Sequence, residues 1–171
     1  MVSYRLHLFP DMSEPSANLT WFQAQQACGN AGKRLLANAE WQMAAAGTPD
    51  PGTDNGSTDC NITNQGFPTN DPVNTGSRAN CVSRWGVFDM VGNMWEWVAD
   101  WVPASSSCDS ALFGTNDYNC MRMDPVAVFP GPAGLLRGGS FAQKTLAGVF
   151  AVDGLDQPSF SFSNIGFRCG R

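Results

Sequence analysis

The sequence has one histidine, ten lysines and arginines in all, and no two cysteines at C-x-x-C spacing. Each of these scarcities closes a class of function. The basic residues are too few and too scattered to neutralise a run of phosphates, and the formal net charge is −5, so no nucleic-acid partner is expected. An anionic membrane surface is disfavoured for the same reason. No apolar run reaches the length of a bilayer span, so membrane insertion is not expected, and residues 1–20 show neither the basic start nor the apolar centre of a signal peptide. His7 near the N-terminus is too isolated to build an acid–base or metal centre, and without paired cysteines a structural zinc site is excluded.

What is present fits one loop-rich globular domain over residues 1–171. Hydrophobic residues make up 43% and charged residues only 15%, with 18 glycines and 11 prolines, a balance that favours a packed core over disorder. The length supports one core and not two. Six cysteines are spread along the chain at 28, 60, 81, 108, 120 and 169. Disulfides across long Gly/Asn-rich loops in an oxidising setting are the favoured use of such spacing, with buried free thiols as the alternative. Cys60 and Cys81 bracket one polar stretch and Cys108 and Cys120 another, so local pairing would close two loops, although spacing alone does not fix connectivity.

The segment "NLTWFQAQQACGNAGKRLLANAEWQMAAAGTP" is the most helical. Thr20 and Gln23 form a capping-box pattern, Trp21, Ala24 and Cys28 share one face, and Gly29 or Gly32 ends the helix. A second helix starts near Asn38 with Glu40 in its first turn and stops at Gly47. Residues 48–84 read as surface loops. Trp95, Trp97 and Trp101, with Val98 and Val102, read as strands or turns delivering apolar area to the core. Further on, "LLRGGSF" ends an apolar run in two glycines, "GVFAV" suits a strand buried on both faces, and "NIGFRC" closes the chain as another strand. In "SFSFS" the alternation puts Phe160 and Phe162 on one face, which is either core or a binding surface.

Four stretches, "AGKRLLANAEWQMAA", "GVFDMVGNMWEWVADW", "LLRGGSF" and "NIGFRC", occur in the order found in the formylglycine-generating-enzyme (sulfatase-modifying factor) branch of the C-type lectin fold, and the chain resembles that branch. The resemblance implies an α+β domain with a small twisted antiparallel sheet, two helices and long loops. It also implies a disulfide between Cys28 and Cys169, which leaves Cys60 with Cys81 and Cys108 with Cys120 as this protein's own additions. In the oxidase two cysteines after the GGS motif bind copper. The matching places here hold Gln143 and Gly148, which neither ligate a soft metal nor act as nucleophiles. The arginine-rich strand that usually follows is replaced by "VFAVDGLD". Iron-dependent members of the fold need a histidine-rich triad, which one histidine cannot supply. The expectation is therefore no enzyme activity and no required cofactor.

The C-terminal segment resembles more closely the variable proteins of diversity-generating retroelements, which use the same fold and have C-terminal codons rewritten by adenine-directed mutagenesis. The frame residues of "GGSFAQKTLAGVFAVDGLDQPSFSFSNIGFRC" match theirs, and the positions between hold unlike side chains. That resemblance implies a ligand-binding receptor displayed outside the cell, on a cell or virion surface, with a variable segment over 131–171. The expected contacts are Phe141, Ala142, Gln143, Lys144, Leu146, Asp153, Gly154, Asp156, Gln157, Phe160, Phe162 and Ser163. Phe160 and Phe162 are the anchors, and Lys144, Asp153 and Asp156 form a polar rim. The partner expected is a protein or peptide on another cell or particle, because aromatics on a fixed scaffold suit such surfaces. The runner-up readings are an oxidase-family enzyme with altered chemistry and a structural domain of an adhesin or phage appendage. In the enzyme branch a calcium site uses the stretch "DMVGNMWE", which carries over to the side chains of Asp89 and Glu96 and the carbonyls of Gly92 and Met94. The alternative for these two carboxylates is capping of turns.

Overall fold

The computed structural model describes residues 13–50, 54–62, 71–103 and 131–171. Cys108, Cys120 and His7 lie outside the described residues. The first helix, α1, runs Trp21–Asn30 and starts where the capping box expects. The Thr20 hydroxyl accepts from the Gln23 N–H at 3.2 Å, and the Gln23 side chain accepts from the Thr20 N–H at 2.9 Å. A short strand β1, Arg34–Leu35, leads into α2, Asn38–Ala45. Ala37 precedes α2 with no side chain to cap it, so carboxylates do that work. Glu40 accepts from the Ala37 N–H at 2.9 Å, and Asp100, far along the chain, accepts from the Asn38 N–H at 2.6 Å.

The main sheet contains β2 (Trp95–Pro103), β3 (Pro132–Arg137), β4 (Val152–Asp153) and β5 (Ile165–Phe167) in the order β4-β3-β2-β5. β2 with β3 and β3 with β4 are antiparallel. β5 runs parallel to β2, so the sheet is mixed where an antiparallel one is expected. A last strand, β6 (Cys169–Gly170), pairs antiparallel with β1.

Alternation along β2 and β3 sends neighbouring side chains into two cores. Trp95, Trp97, Leu136 and Ile165 pack with Ala24 and Cys28 of α1. Val98, Leu135 and Val152 pack with Trp41, Ala44 and Ala45 of α2. A third cluster of Cys60, Ile62, Cys81, Val91 and Ala147 fills the space under the loops.

Two further expectations change. "GVFAV" contributes only Val152 to a strand, because Gly148–Phe150 turn and Phe150 stands 59% exposed. Of the three tryptophans on β2, Trp95 and Trp97 are core, whereas Trp101 is 43% exposed.

Two disulfides close the described residues. Cys28–Cys169 ties α1 to β6 across 141 positions, and Cys60–Cys81 closes a loop of 21. A chain-entropy account makes the longer closure the more stabilising by about 2 kcal/mol. Cys28→Ser with Cys169→Ser should therefore lower the urea midpoint more than Cys60→Ser with Cys81→Ser. Equal losses would place the stabilisation in local packing instead.

Candidate functional site

The C-terminal segment leaves β3 through a double-glycine turn whose shape is fixed by what surrounds it. Gly138 has φ +90, and a Cβ there would lie 3.0 Å from Cζ2 of Trp41. Gly139 has φ +79, and a Cβ would lie 2.7 Å from the Cα of Ala147. Backbone bonds then pin the turn to the loop before β2. Gly92 N–H donates to the Gly138 carbonyl at 3.1 Å, and Phe141 N–H to the Asn93 carbonyl at 3.1 Å. Buried Ser140 accepts at its hydroxyl from the Ala142 N–H at 3.3 Å.

Beneath this turn lies a buried ionic cluster. Glu96 on β2 accepts from Trp41 Nε1 at 2.6 Å and from Arg168 through Nε at 2.6 Å and a second, short contact at Nη2. Arg168 also donates to the Phe88 carbonyl at 3.2 Å. Burial alone would lower the Arg168 pKa, but Glu96 and Asp89 hold it above the usual arginine value. Asp89, in the left-handed region at φ +59, accepts from the Gly76 N–H at 2.7 Å, and burial pushes its pKa up to about 6. The Gly92 carbonyl accepts from the Met94 N–H at 2.8 Å. The Arg137 guanidinium stacks over the Trp41 ring, 4.7 Å from its centroid, and burial lowers its pKa to about 10.

The expected contact residues are distributed unevenly. Ala142, Lys144, Phe162 and Ser163 are exposed, and Phe141, Leu146, Asp153, Asp156, Gln157 and Phe160 are half-buried. Gly154 is buried and presents no surface. The Gln143 side chain folds back, accepting from the Ser140 N–H at 3.1 Å and from the Ser140 hydroxyl, so it braces the turn. Lys144 opens the one-turn helix Lys144–Leu146 with φ +53, which throws its side chain outward from a strained backbone. Phe160 and Phe162 are not on a strand, yet their rings share a side, with centroids 5.6 Å apart. Phe162 is 44% exposed.

Gly148, one of the two places where an oxidase would carry a cysteine, is buried against Asp50. A Cβ there would lie 2.7 Å from the Asp50 Oδ1, and the other Asp50 oxygen accepts from the Val149 N–H at 2.9 Å. The carboxylate fills the space a side chain at 148 would need.

Sequence reasoning missed Phe22 and Trp101 as surface groups. With half-buried Trp21, which packs on the core as its place on the apolar face of α1 implies, they form a three-ring cluster with edge-on packing and centroids 5.1 to 5.8 Å apart. The signal was visible at α1, where Phe22 falls outside the apolar face formed by Trp21, Ala24 and Cys28.

Comparison with known proteins bears on the fold and the family. Residues 10–171 match the sulfatase-modifying factor enzyme 1-like domain model. The chain is 31% identical over 178 residues to the formylglycine-generating enzyme of Thermomonospora curvata, with 92% of this chain and 55% of the enzyme aligned. It is 28% identical over 161 residues to the tail fiber receptor-binding protein of Bordetella phage BPP-1, with 92% of this chain and 38% of the phage protein aligned. The chain thus spans about half or less of the length of these relatives. Its backbone matches the Major Tropism Determinant I1 variant with a TM-score of 0.60 at 24% identity, over 88% of this chain and 37% of that one. The fold is that C-type lectin-like fold.

The half-buried carboxyl of Asp156 gives the segment a pH signature. Burial, then the neighbouring Asp153, raises its pKa to about 6 from 3.8. The folded state therefore keeps a proton that the unfolded chain releases. This contribution to stability is full below the unfolded pKa and is lost as pH rises towards 6. Asp156→Asn should remove up to about 3 kcal/mol of that slope, less whatever solvent screens. Urea midpoints at pH 4 and pH 7 should lie closer together in the variant than in the wild type.

Proposed function

The chain belongs to the sulfatase-modifying factor enzyme 1-like family, and from that premise we propose that it is a ligand-binding member of it and not an oxidase. The observation that carries this reading is the division of labour within residues 138–169. The glycines, Ser140, Gln143 and Arg168 are committed to the frame, whereas the side chains of Ala142, Lys144, Phe162 and Ser163 are exposed and the frame holds Ala142, Lys144 and Phe162 by main-chain atoms. A surface with that division can change its contacts without changing its backbone, and a held backbone loses little entropy on binding. The placement of Asp50 against Gly148 and the loss of both cysteine positions support the absence of copper chemistry.

The likeness to a phage tail fiber receptor-binding protein supports display on a virion or cell surface and a surface-borne protein or peptide as the partner. The resemblance of the C-terminal segment to the variable proteins of diversity-generating retroelements supports diversification of that segment by a retroelement. Sequencing the DNA beside the gene should reveal a near-copy of the last coding stretch that differs where it carries adenine, with a reverse transcriptase nearby. Without such a copy the segment is not diversified in this way, and the structural adhesin reading takes its place.

The reading assigns no calcium to Asp89 and Glu96. Both Glu96 oxygens already face the Trp41 N–H and the Arg168 guanidinium, and among the described residues no group of three or more His, Cys, Asp or Glu side chains gathers there. A calcium ion would have to displace the guanidinium that neutralises Glu96. Chelation with EDTA should leave the melting temperature unchanged, and a drop of several degrees would restore the metal.

A further inference from the structure

A cleft of about 220 Å³ opens between residues 13–16, the start of β2 and the end of β5. Its outer wall is held from two sides. Thr75 N–H donates to the Ser13 carbonyl at 2.9 Å, and the Ser16 carbonyl lies 2.9 Å from the place a Cβ would take at Gly166. None of the exposed positions 142, 144, 162 and 163 lines this cleft, so it is distinct from the surface proposed above.

Four charged side chains line it: Glu14, Asp89, Glu96 and Arg168. Glu96 is spent, because Arg168 and the Trp41 indole take both of its oxygens. Asp89 and Arg168 each keep one polar atom for the cleft. Asp89 is only 6% exposed, and its Oδ2 accepts from the Gly76 N–H at 2.7 Å. Among the described residues no hydrogen bond reaches its Oδ1, and that atom keeps contact with solvent. Arg168 uses Nε and Nη2 on Glu96 and on the carbonyls of Phe88 and Asp89, at 3.2 and 3.5 Å. Among the described residues no bond uses its Nη1. The guanidinium thus touches the Asp89 main chain yet forms no ion pair with the Asp89 carboxylate, so an acceptor oxygen and a donor N–H share one cleft.

Unmet polar groups in a buried site select what meets them. An anion would satisfy Nη1 but face Asp89, Glu96 and, at the surface, exposed Glu14. An ammonium would satisfy Oδ1 but set its charge against the guanidinium and leave Nη1 without an acceptor. Either would also carry the cost of desolvating a full charge. A neutral group with an N–H beside a carbonyl meets both atoms, and a primary carboxamide holds the two in one plane. Met94 and Phe167, also in the lining, offer apolar contact to the methylenes that carry such a group.

We propose that this cleft is a second ligand site and that it takes a primary carboxamide, the end group of a glutamine or asparagine side chain. The amide N–H donates to Asp89 Oδ1, and the amide carbonyl accepts from Arg168 Nη1. The proposal is independent of the ligand-binding reading of the C-terminal segment.

The test titrates the ¹⁵N-labelled full chain, followed by NMR, with the Nα-acetyl N-methylamides of glutamine, glutamate and lysine, and with free glutamine. The Gly76 N–H, bonded to Asp89, should shift saturably with glutamine, which should bind about tenfold or more tighter than the glutamate or lysine probe. Whichever of the two glutamine forms binds tighter names the source, a free amino acid or a side chain within a polypeptide. Asp89→Asn suits the left-handed φ of +59 and still accepts from the Gly76 N–H, but it turns a donor toward the cleft. In that variant the preference should pass from glutamine to glutamate. Phe162→Ser should leave the ranking of probes unchanged, so the reading of the C-terminal segment stands or falls separately. The inference is overturned if neither glutamine form outbinds the glutamate and lysine probes, or if a folded Asp89→Asn chain keeps the wild-type ranking. Should thermal unfolding show that Asp89→Asn does not fold, the wild-type ranking and the Gly76 shift decide.

Discussion

The Glu96 carboxylate is the joint on which the domain depends. It is buried on the central strand and satisfied by donors from two other parts of the chain: the Trp41 indole of α2 and the Arg168 guanidinium just beyond β5. A charge so placed is tolerable only while those donors remain, and removing one partner of such a pair typically costs about 3 to 5 kcal/mol. The joint thereby ties the helix packed on one face of the sheet to the strand that closes the chain. Trp41, oriented by that bond, carries Arg137 on its ring and comes within van der Waals reach of Gly138. The double-glycine turn therefore takes its shape from the same joint.

From that turn onward, constraint falls on backbone groups and a few braces. The carbonyls of Asn93 and Gly138 and the hydroxyl of Ser140 receive the N–H groups that set the path of residues 138–148. Residues 18–21 do the same for 158–162, and the Cys28–Cys169 disulfide holds α1 against β6. Most of these bonds use main-chain atoms, which every residue type supplies, so they place few demands on side chains at the exposed positions. The exceptions are informative. Gln143 and Gly154 fall within the C-terminal segment, but one braces Ser140 and the other is buried.

Much of the fold was legible because it rests on local chemistry. The Thr20–Gln23 box starts α1, Glu40 marks the first turn of α2, and buried Trp95 and Trp97 follow from an aromatic run on a central strand. The Cys28–Cys169 pairing was legible through family resemblance alone, since spacing does not choose partners. What sequence did not disclose depends on tertiary partners. "GVFAV" has strand composition, but the turn at Gly148 is held by Asp50, ninety-nine positions away from Val149, so only its last residue joins β4. "SFSFS" alternates without pairing because the Pro158 and Phe162 carbonyls accept from Trp21 at the start of α1 and from Asn18 just before it, in place of a neighbouring strand. The parallel placement of β5 beside β2 is equally non-local.

The exposed aromatic cluster shows why tryptophan content alone misleads. Trp97 and Trp101 stand on one strand, four residues apart, with a register irregularity between them. Trp97 lies over Gly134 and is covered by α1, with its Nε1 donating to the Leu19 carbonyl at 3.1 Å. Trp101 lies past the end of that cover and packs against Trp21 and Phe22 at the start of the helix. The difference is where α1 begins, and α1 begins at Trp21 because Thr20 caps it there. A capping residue chosen for helix geometry thus decides which tryptophan is core and which is surface, and it sets the aromatic surface beside the C-terminal segment.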